Sequence, residues 1–178
     1  MTIVLLTGQA GAGKTAVCQR VVDLARQRGY LCGGLLTPAV LDREGVKVGI
    51  EALDPLSGER WPLARTDQDL DGPQVGSYHL SATALKRCLA AIERAAEQCD
   101  LLVIDEIGPL ELERGEGLVP ALDILLGRRA LRALVVVRHA LLDELCERLS
   151  EAEPLVFTVN DETREALPER IVKHLLGV

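Results

Sequence analysis

The stretch that decides the fold is GQAGAGKTA, residues 8–16, which comes just after the aliphatic run TIVLL at residues 2–6. Residues 8–15 match the pattern G-x-x-x-x-G-K-[ST] at every fixed position. Glycines in such a loop keep side chains out of the way, so that several backbone N–H groups can point at one anion. The helix that follows presents its positive N-terminal end to the same anion. The sequence therefore predicts a strand, a phosphate-binding loop and a helix.

Each residue of this loop is a candidate nucleotide contact. We expect Lys14 to contact the β- and γ-phosphates and to take part in catalysis, and the Thr15 hydroxyl to ligate Mg²⁺. The alternative is a glycine-rich turn that binds nothing, but its position between a buried strand and an amphipathic helix favours the phosphate loop. The predicted nucleotide-binding residues are Gly8, Gln9, Ala10, Gly11, Ala12, Gly13, Lys14, Thr15 and Ala16.

Alternating strands and helices predict the fold class. Such alternation is typical of a mostly parallel sheet covered by helices on both faces. We expect an α/β fold of the P-loop NTPase type with three layers, formed as a single domain over residues 1–178. The predicted strands are 2–7, 101–105, 131–137 and 154–159, and the predicted helices are 14–28, one that begins near Ser81, 115–127, 140–149 and one opened by Pro168.

Residues 31–80 have a different pattern from the rest of the chain. Short segments rich in β-formers are separated there by the turn sequences DREG and DPLSGE. The segments VKVGIEALD and ERWPLAR are spaced as a hairpin. We therefore expect a β-rich, antiparallel extension at about 31–80.

Composition limits the kinds of partner. The net charge of −7, with no run of Lys or Arg, makes nucleic acid an unlikely ligand, because such binding needs a basic surface. The five cysteines are scattered without metal-ligand spacing, which favours reduced thiols. The sequence shows no basic leader and no apolar run of about 18 residues, so we expect a cytoplasmic protein with no membrane contact. No protein partner is indicated.

A second motif, LLVIDEIG at residues 101–108, carries two acids at the end of a hydrophobic strand. The carboxyl ends of strands in a parallel sheet face the ligand crevice. We expect Asp105 to be the carboxylate on the Mg²⁺ side, and Glu106 to be the catalytic residue that orients or deprotonates water. The alternative is that both are surface acids with no ligand.

Two further pairs of polar residues follow predicted strands. Arg138 and His139 come after ALVVV, where either could contact the γ-phosphate, although a solvated turn is an equal alternative. Asn160 and Arg164 follow the strand FTV and are candidates for recognition of the base. The alternative for Arg164 is an exposed charge at the start of a helix.

The sequence resembles the THEP-type nucleoside-triphosphatases, also called the cancer-related nucleoside-triphosphatase family, over nearly its full length. The resemblance depends on GQAGAGKT, GGLLT, GERWPLAR, PQVGSYHLS and ETREALPERI, and most specifically on LLVIDEIGPLEL. It implies a Mg²⁺-dependent hydrolase that releases phosphate from ATP, GTP and other nucleoside triphosphates with broad base tolerance. It places Lys14 and Thr15 at the phosphates and metal, and Asp105 and Glu106 at metal and water. Glu111 lies in the matching motif, where it could brace the loop after Glu106.

The sequence departs from this family at three positions. Ala16 stands where a second Thr is common, Leu41 where an Arg is common, and Thr163 where an Asn is common. If the replaced polar groups touch the nucleotide, base preference or rate will differ from that of relatives.

Two other functions fit parts of the sequence. A nucleotide-dependent adaptor with slow hydrolysis could use the 31–80 block as its partner surface. A small-molecule or nucleoside kinase would need an arginine-bearing lid, for which GRRALR at 127–132 is the only candidate.

Overall fold

Five parallel strands form the central sheet. The computed structural model describes residues 1–177. The strand order is β10-β1-β9-β8-β2, and every neighbouring pair is parallel. The central strands are near-continuous aliphatic runs because both faces of the sheet are covered. The strand bounds are β1 Thr2–Gly8, β2 Cys32–Leu35, β8 Leu101–Ile107, β9 Arg132–Val137 and β10 Leu155–Val159.

Helices cover both faces of this sheet, which confirms the predicted three layers. Helices α1 and α6 pack on one face, where they bury the even-numbered residues of β1. Helices α2, α4 and α5 pack on the other face, where they bury the odd-numbered ones. The helix bounds are α1 Lys14–Gln27, α2 Ala82–Gln98, α3 Pro109–Leu112, α4 Val119–Leu126, α5 Leu142–Arg148 and α6 Leu167–Leu176. No helix within residues 1–177 is long and apolar enough to cross a membrane.

The second sheet is antiparallel, in the order β3-β4-β5-β7-β6. An isolated bridge joins it to the central sheet, because Leu36 and Leu53 exchange two backbone hydrogen bonds of 2.9 Å. The predicted extension is confirmed, but it begins at residue 39 and not at 31, since β2 belongs to the parallel sheet. Its strands are β3 Ala39–Leu41, β4 Lys47–Leu53, β5 Arg60–Arg65, β6 Gln74–Val75 and β7 Tyr78–Leu80.

The glycine pair of β2 lets this strand pack closely against its neighbours. A Cβ atom at Gly33 would lie 2.7 Å from Cys99 Sγ and 2.9 Å from Ala95 Cβ, so these two side chains pack directly on the Gly33 backbone. Gly34 has φ +112°, and a Cβ atom there would lie 2.1 Å from the carbonyl oxygen of Val103. Both positions therefore require glycine for close packing.

Two predicted helices differ from the observed ones. The segment predicted as one helix over 115–127 is preceded by the one-turn helix α3, and α4 begins only at Val119. Gly115 and Gly117, both with positive φ, separate the two helices. The helix predicted at 140–149 begins with a 3-10 turn at His139–Leu141 before α5.

The thiols give a direct test of this packing. Cys18, Cys32, Cys88 and Cys99 are buried free thiols, and burial raises the pKa of Cys32 to about 11 and that of Cys88 to about 12. Because thiolate is the reactive form, we expect Ellman's reagent at pH 8 to modify at most one thiol of the native protein, the half-buried Cys146. All five should react in guanidinium chloride. Rapid native labelling of Cys32 or Cys88, mapped by mass spectrometry, would contradict the packing.

Candidate active site

The predicted phosphate loop connects the end of β1 to the start of α1. Gly8 is the last residue of β1 and is buried, whereas Gln9, Ala10 and Gly11 are exposed. Gly13 is the N-cap of α1 and has φ +96°, a left-handed conformation that favours glycine. The loop therefore exposes its backbone next to a helix N-terminus, which is the arrangement that binds phosphate.

Lys14 folds back over this loop. Its Nζ donates hydrogen bonds to the carbonyl oxygens of Gly8 and Gln9, both at 3.0 Å. The ammonium group is thus held above the exposed part of the loop. This is where a positive charge would meet bound phosphate.

The Asp105 carboxylate lies beside the start of α1. It is 2% exposed and accepts a hydrogen bond from the Thr37 N–H at 3.1 Å. Burial raises the pKa of Asp105, and hydrogen bonds from the Thr37 N–H and the Thr15 hydroxyl offset part of this effect. The structure therefore brings together Thr15 and Asp105, the two residues predicted to share a metal ion. Thr37, which the sequence analysis did not single out, is the third member of this contact.

Glu106 follows Asp105 at an irregularity in β8. Ile104 pairs with Val135 and Ile107 with Val137, so β8 contains one residue more than β9 between these pairs. The peptide bond between the two acids is cis. A bulge of this kind re-aims side chains at the end of a strand. As a result both consecutive acids lie at the loop edge of the sheet, Asp105 buried and Glu106 half-buried.

Glu111 braces the segment after β8. Its Oε2 accepts a hydrogen bond from the Gly108 N–H and its Oε1 one from the Leu118 N–H, both at 3.0 Å in a buried setting. Burial raises the pKa of Glu111, and these two N–H groups oppose that shift. The acid at the third position after Gly108 has the spacing of a capping box. That spacing is a local sequence signal for the bracing that the family resemblance led us to expect of Glu111.

Arg138 and His139, predicted together, have different surroundings. The Arg138 Nε lies 2.7 Å from Glu106 Oε1 in an ion pair. His139 is exposed at the start of the 3-10 turn, and within residues 1–177 its side chain has no hydrogen bond or ion pair. The structure brings Arg138 into the site and gives no such role to His139.

Asn160 and Arg164 also differ. The Asn160 Oδ1 accepts hydrogen bonds from the backbone N–H groups of Glu162 and Thr163, so it forms the turn after β10. A Cβ atom at Gly13 would lie 2.9 Å from Arg164 Cδ, which shows that the Arg164 stem lies against the phosphate loop. Asn160 therefore shapes the turn, whereas Arg164 contacts the loop.

These features define a class of protein. A P-loop NTPase has a phosphate loop after β1 and an acid pair at the end of a strand that is separated from β1 by one other strand. This chain has both. A family model described as NTPase matches residues 3–172. The chain is 35% identical to nucleoside-triphosphatase THEP1 of Methanopyrus kandleri, over 97% of this chain and 94% of the relative. The THEP1 of Thermococcus kodakarensis is 34% identical, over 98% and 97% of the two chains.

The chain therefore belongs to the THEP1 family of nucleoside-triphosphatases, which are hydrolases. The resemblance seen in the sequence is confirmed. The solution structure of a human cancer-related nucleoside triphosphatase superposes with a TM-score of 0.76 at 26% identity, covering 99% of this chain and 98% of that one. The crystal structure of THEP1 from Aquifex aeolicus shares the fold, with a TM-score of 0.73 at 19% identity, covering 98% of this chain and 99% of that one.

Replacement of Glu111 tests its bracing role. In Glu111→Gln an amide N–H₂ faces one of the two backbone N–H groups, which loses its acceptor. We expect the free energy of unfolding, measured in urea, to fall by about 1–3 kcal/mol. Glu113→Gln is the control, because Glu113 is exposed in the same segment and should change stability by no more than about 0.5 kcal/mol. Equal stabilities of the two variants would contradict the brace.

Proposed function

We propose that this chain hydrolyses nucleoside triphosphates, ATP and GTP among them, to the diphosphate and phosphate with the help of Mg²⁺. The observation that carries the proposal is that the phosphate loop with Lys14 and the acid pair of Asp105 and Glu106 lie at the same edge of the parallel sheet. They meet where the start of α1 contacts β8, with the Thr15 hydroxyl beside the Asp105 carboxylate. Membership of the nucleoside-triphosphatase family supports the same activity.

The residues at this contact fit a magnesium ion. Mg²⁺ prefers oxygen ligands, and a hydroxyl and a carboxylate meet here. Asp105 is buried, and within residues 1–177 it has no ion pair, so its charge is uncompensated by the protein. We assign the metal to Thr15 and Asp105. Bound there, Mg²⁺ would neutralise charge on the β- and γ-phosphate oxygens.

Lys14 and Glu106 are the proposed catalytic residues. Lys14 would release its contacts with Gly8 and Gln9 to bind the β- and γ-phosphates. Glu106, one residue beyond the metal carboxylate, would accept a proton from the water that attacks the γ-phosphorus atom. The bond between that phosphorus and the β–γ bridging oxygen breaks, and the diphosphate leaves.

Broad base tolerance follows from the scarcity of aromatic surface. Trp61 and Phe157 are buried, and Tyr78 lies on the second sheet next to Lys47. Tyr30 is partly buried just before β2, at the amino end of the parallel strands. Arg164 is the planar group that lies against the phosphate loop. We assign it the contact with the nucleoside, and a guanidinium can stack on any base without selecting one.

The kinase alternative receives no support from the proposed lid. GRRALR precedes and enters β9, so it lies at the amino end of the parallel strands. The phosphate loop and the acid pair lie at the carboxyl end. An arginine from this segment is therefore at the opposite edge of the sheet from Lys14.

Phosphate release without an acceptor tests the hydrolase. Wild type, Lys14→Ala and Glu106→Gln would be incubated with Mg²⁺ and each triphosphate. We expect turnover by wild type, and a loss of about 10²–10⁴-fold in kcat for Glu106→Gln with nucleotide binding retained. Glu147→Gln, an exposed acid on α5, is the matched control. Turnover only after an acceptor is added would indicate a kinase, and tight binding without turnover would indicate an adaptor.

The metal assignment predicts two effects of Asp105→Asn. A neutral amide binds Mg²⁺ more weakly than a carboxylate, so the Mg²⁺ concentration for half-maximal activity should rise about tenfold or more. Because burial raises the pKa of Asp105, its ionised form is unfavourable in the metal-free fold at neutral pH. Removal of the charge should therefore leave the Tm without Mg²⁺ unchanged or higher. The exposed Asp123→Asn is the control; an unchanged Mg²⁺ requirement would contradict the assignment.

A further inference from the structure

Arg138 occupies the position between the phosphate loop and the acid pair. Strand β9 lies between β1 and β8, and Arg138 is the first residue after β9. The neighbouring strand on one side continues into the phosphate loop, and the one on the other side carries Glu106. Since all three strands are parallel, the three segments emerge at the same edge of the sheet.

The Arg138 guanidinium is only partly used by the protein. Its Nε bonds Glu106 Oε1 at 2.7 Å, and within residues 1–177 no protein group accepts a hydrogen bond from its Nη1 or Nη2. A guanidinium has five N–H donors, so four are left by this contact. The Arg138 side chain is 52% exposed and that of Glu106 is 29% exposed. The pair is therefore open to solvent at the carboxyl edge of the sheet, where a ligand can reach it.

The contact with Glu106 also defines where Arg138 can act. A Cβ atom at Gly108 would lie 3.7 Å from Arg138 Nε, 3.7 Å from Glu106 Oε1 and 3.9 Å from Glu111 Oε2. The Glu106 and Glu111 carboxylates and the Arg138 guanidinium thus surround Gly108 at this edge. Arg138 is paired with Glu106 there, whereas Arg164 lies against the phosphate loop after β10, on the other side of β1.

We propose that Arg138 is a catalytic arginine supplied by this chain to its own site. Its Nε–H holds Glu106, and its Nη hydrogens bind oxygens of the γ-phosphate. The inference rests on the proposed hydrolysis and adds Arg138 to the residues that catalyse it. As water attacks the γ-phosphorus atom and its proton passes to Glu106, negative charge grows on the γ-phosphate oxygens and on the leaving diphosphate oxygen. Arg138 stabilises that charge while it keeps the base in line with the attacked group.

The decisive measurement compares ligands with and without a γ-phosphate. Binding of ADP and of a non-hydrolysable ATP analogue would be measured by calorimetry for wild type, Arg138→Ala and Arg138→Lys, beside kcat and KM for ATP. For Arg138→Ala we expect kcat to fall about 10²–10³-fold. The affinity for the analogue should fall several-fold while that for ADP is unchanged. Arg138→Lys should keep part of the kcat and part of the affinity for the analogue, because one ammonium group cannot hold Glu106 and phosphate in the same geometry as a guanidinium.

Arg129→Ala is the matched control. Arg129 is 50% exposed and pairs with Glu97 at 3.2 Å, and it lies at the opposite edge of the sheet. The Arg129→Ala variant should change neither kcat for ATP nor the affinity for ADP or for the analogue. Thermal unfolding of each variant would show that the fold is intact, as expected for a partly exposed ion pair.

A double variant separates this inference from the proposed role of Glu106. In the Glu106→Gln background, a γ-phosphate contact predicts that Arg138→Ala still weakens the analogue and not ADP. If the analogue and ADP bind equally well with and without Arg138, or if kcat of Arg138→Ala stays within twofold of wild type, the inference is overturned. Failure of Glu106→Gln to slow hydrolysis would instead overturn the role of Glu106, while the two affinities still report on Arg138.

Discussion

The rest of the site depends on the buried carboxylate of Asp105. It accepts a hydrogen bond from the backbone of Thr37 after β2 and lies beside the hydroxyl of Thr15 at the start of α1, so one side chain brings together three segments far apart in sequence. A buried carboxylate without a counter-ion is unfavourable in a folded protein. Burial accordingly raises the pKa of Asp105, and its polar neighbours offset that effect only in part. A cation bound beside this side chain would favour its ionised form.

Topology distributes the positive groups around the phosphate loop. Arg138 follows β9 and Arg164 follows β10, and these are the two neighbours of β1 in the sheet. The two arginines therefore lie on opposite sides of the strand that leads into the loop. The one beside the acid strand pairs with Glu106, and the one on the far side packs against Gly13. With the roles proposed for these two arginines, the γ-phosphate and the nucleoside of a bound triphosphate would each have a cationic neighbour of its own.

The sequence predicted those parts of the site that depend on local chemistry. The loop at 8–15 and the acids at the end of an aliphatic strand are recognisable because spacing and residue type determine them. The start of the antiparallel sheet was misplaced, since nothing local shows that β2 pairs with β8 while β3 pairs with β4. The contact of Arg138 with Glu106 depends on the register between β8 and β9, and a single strand does not reveal the register of its neighbour. The bonds of Glu111 likewise depend on how the chain turns back at Leu118.

The attachment of the second sheet has a mechanical consequence. Leu36, whose bridge to Leu53 joins the two sheets, directly precedes the residue whose N–H binds Asp105. The β4–β5 turn is anchored in addition by Asp54, which pairs with Arg94 of α2 at 2.6 Å. One peptide unit therefore separates the link between the two sheets from the N–H group that binds Asp105. A displacement of the small sheet at Leu36 would shift that N–H group and weaken a hydrogen bond of a buried carboxylate.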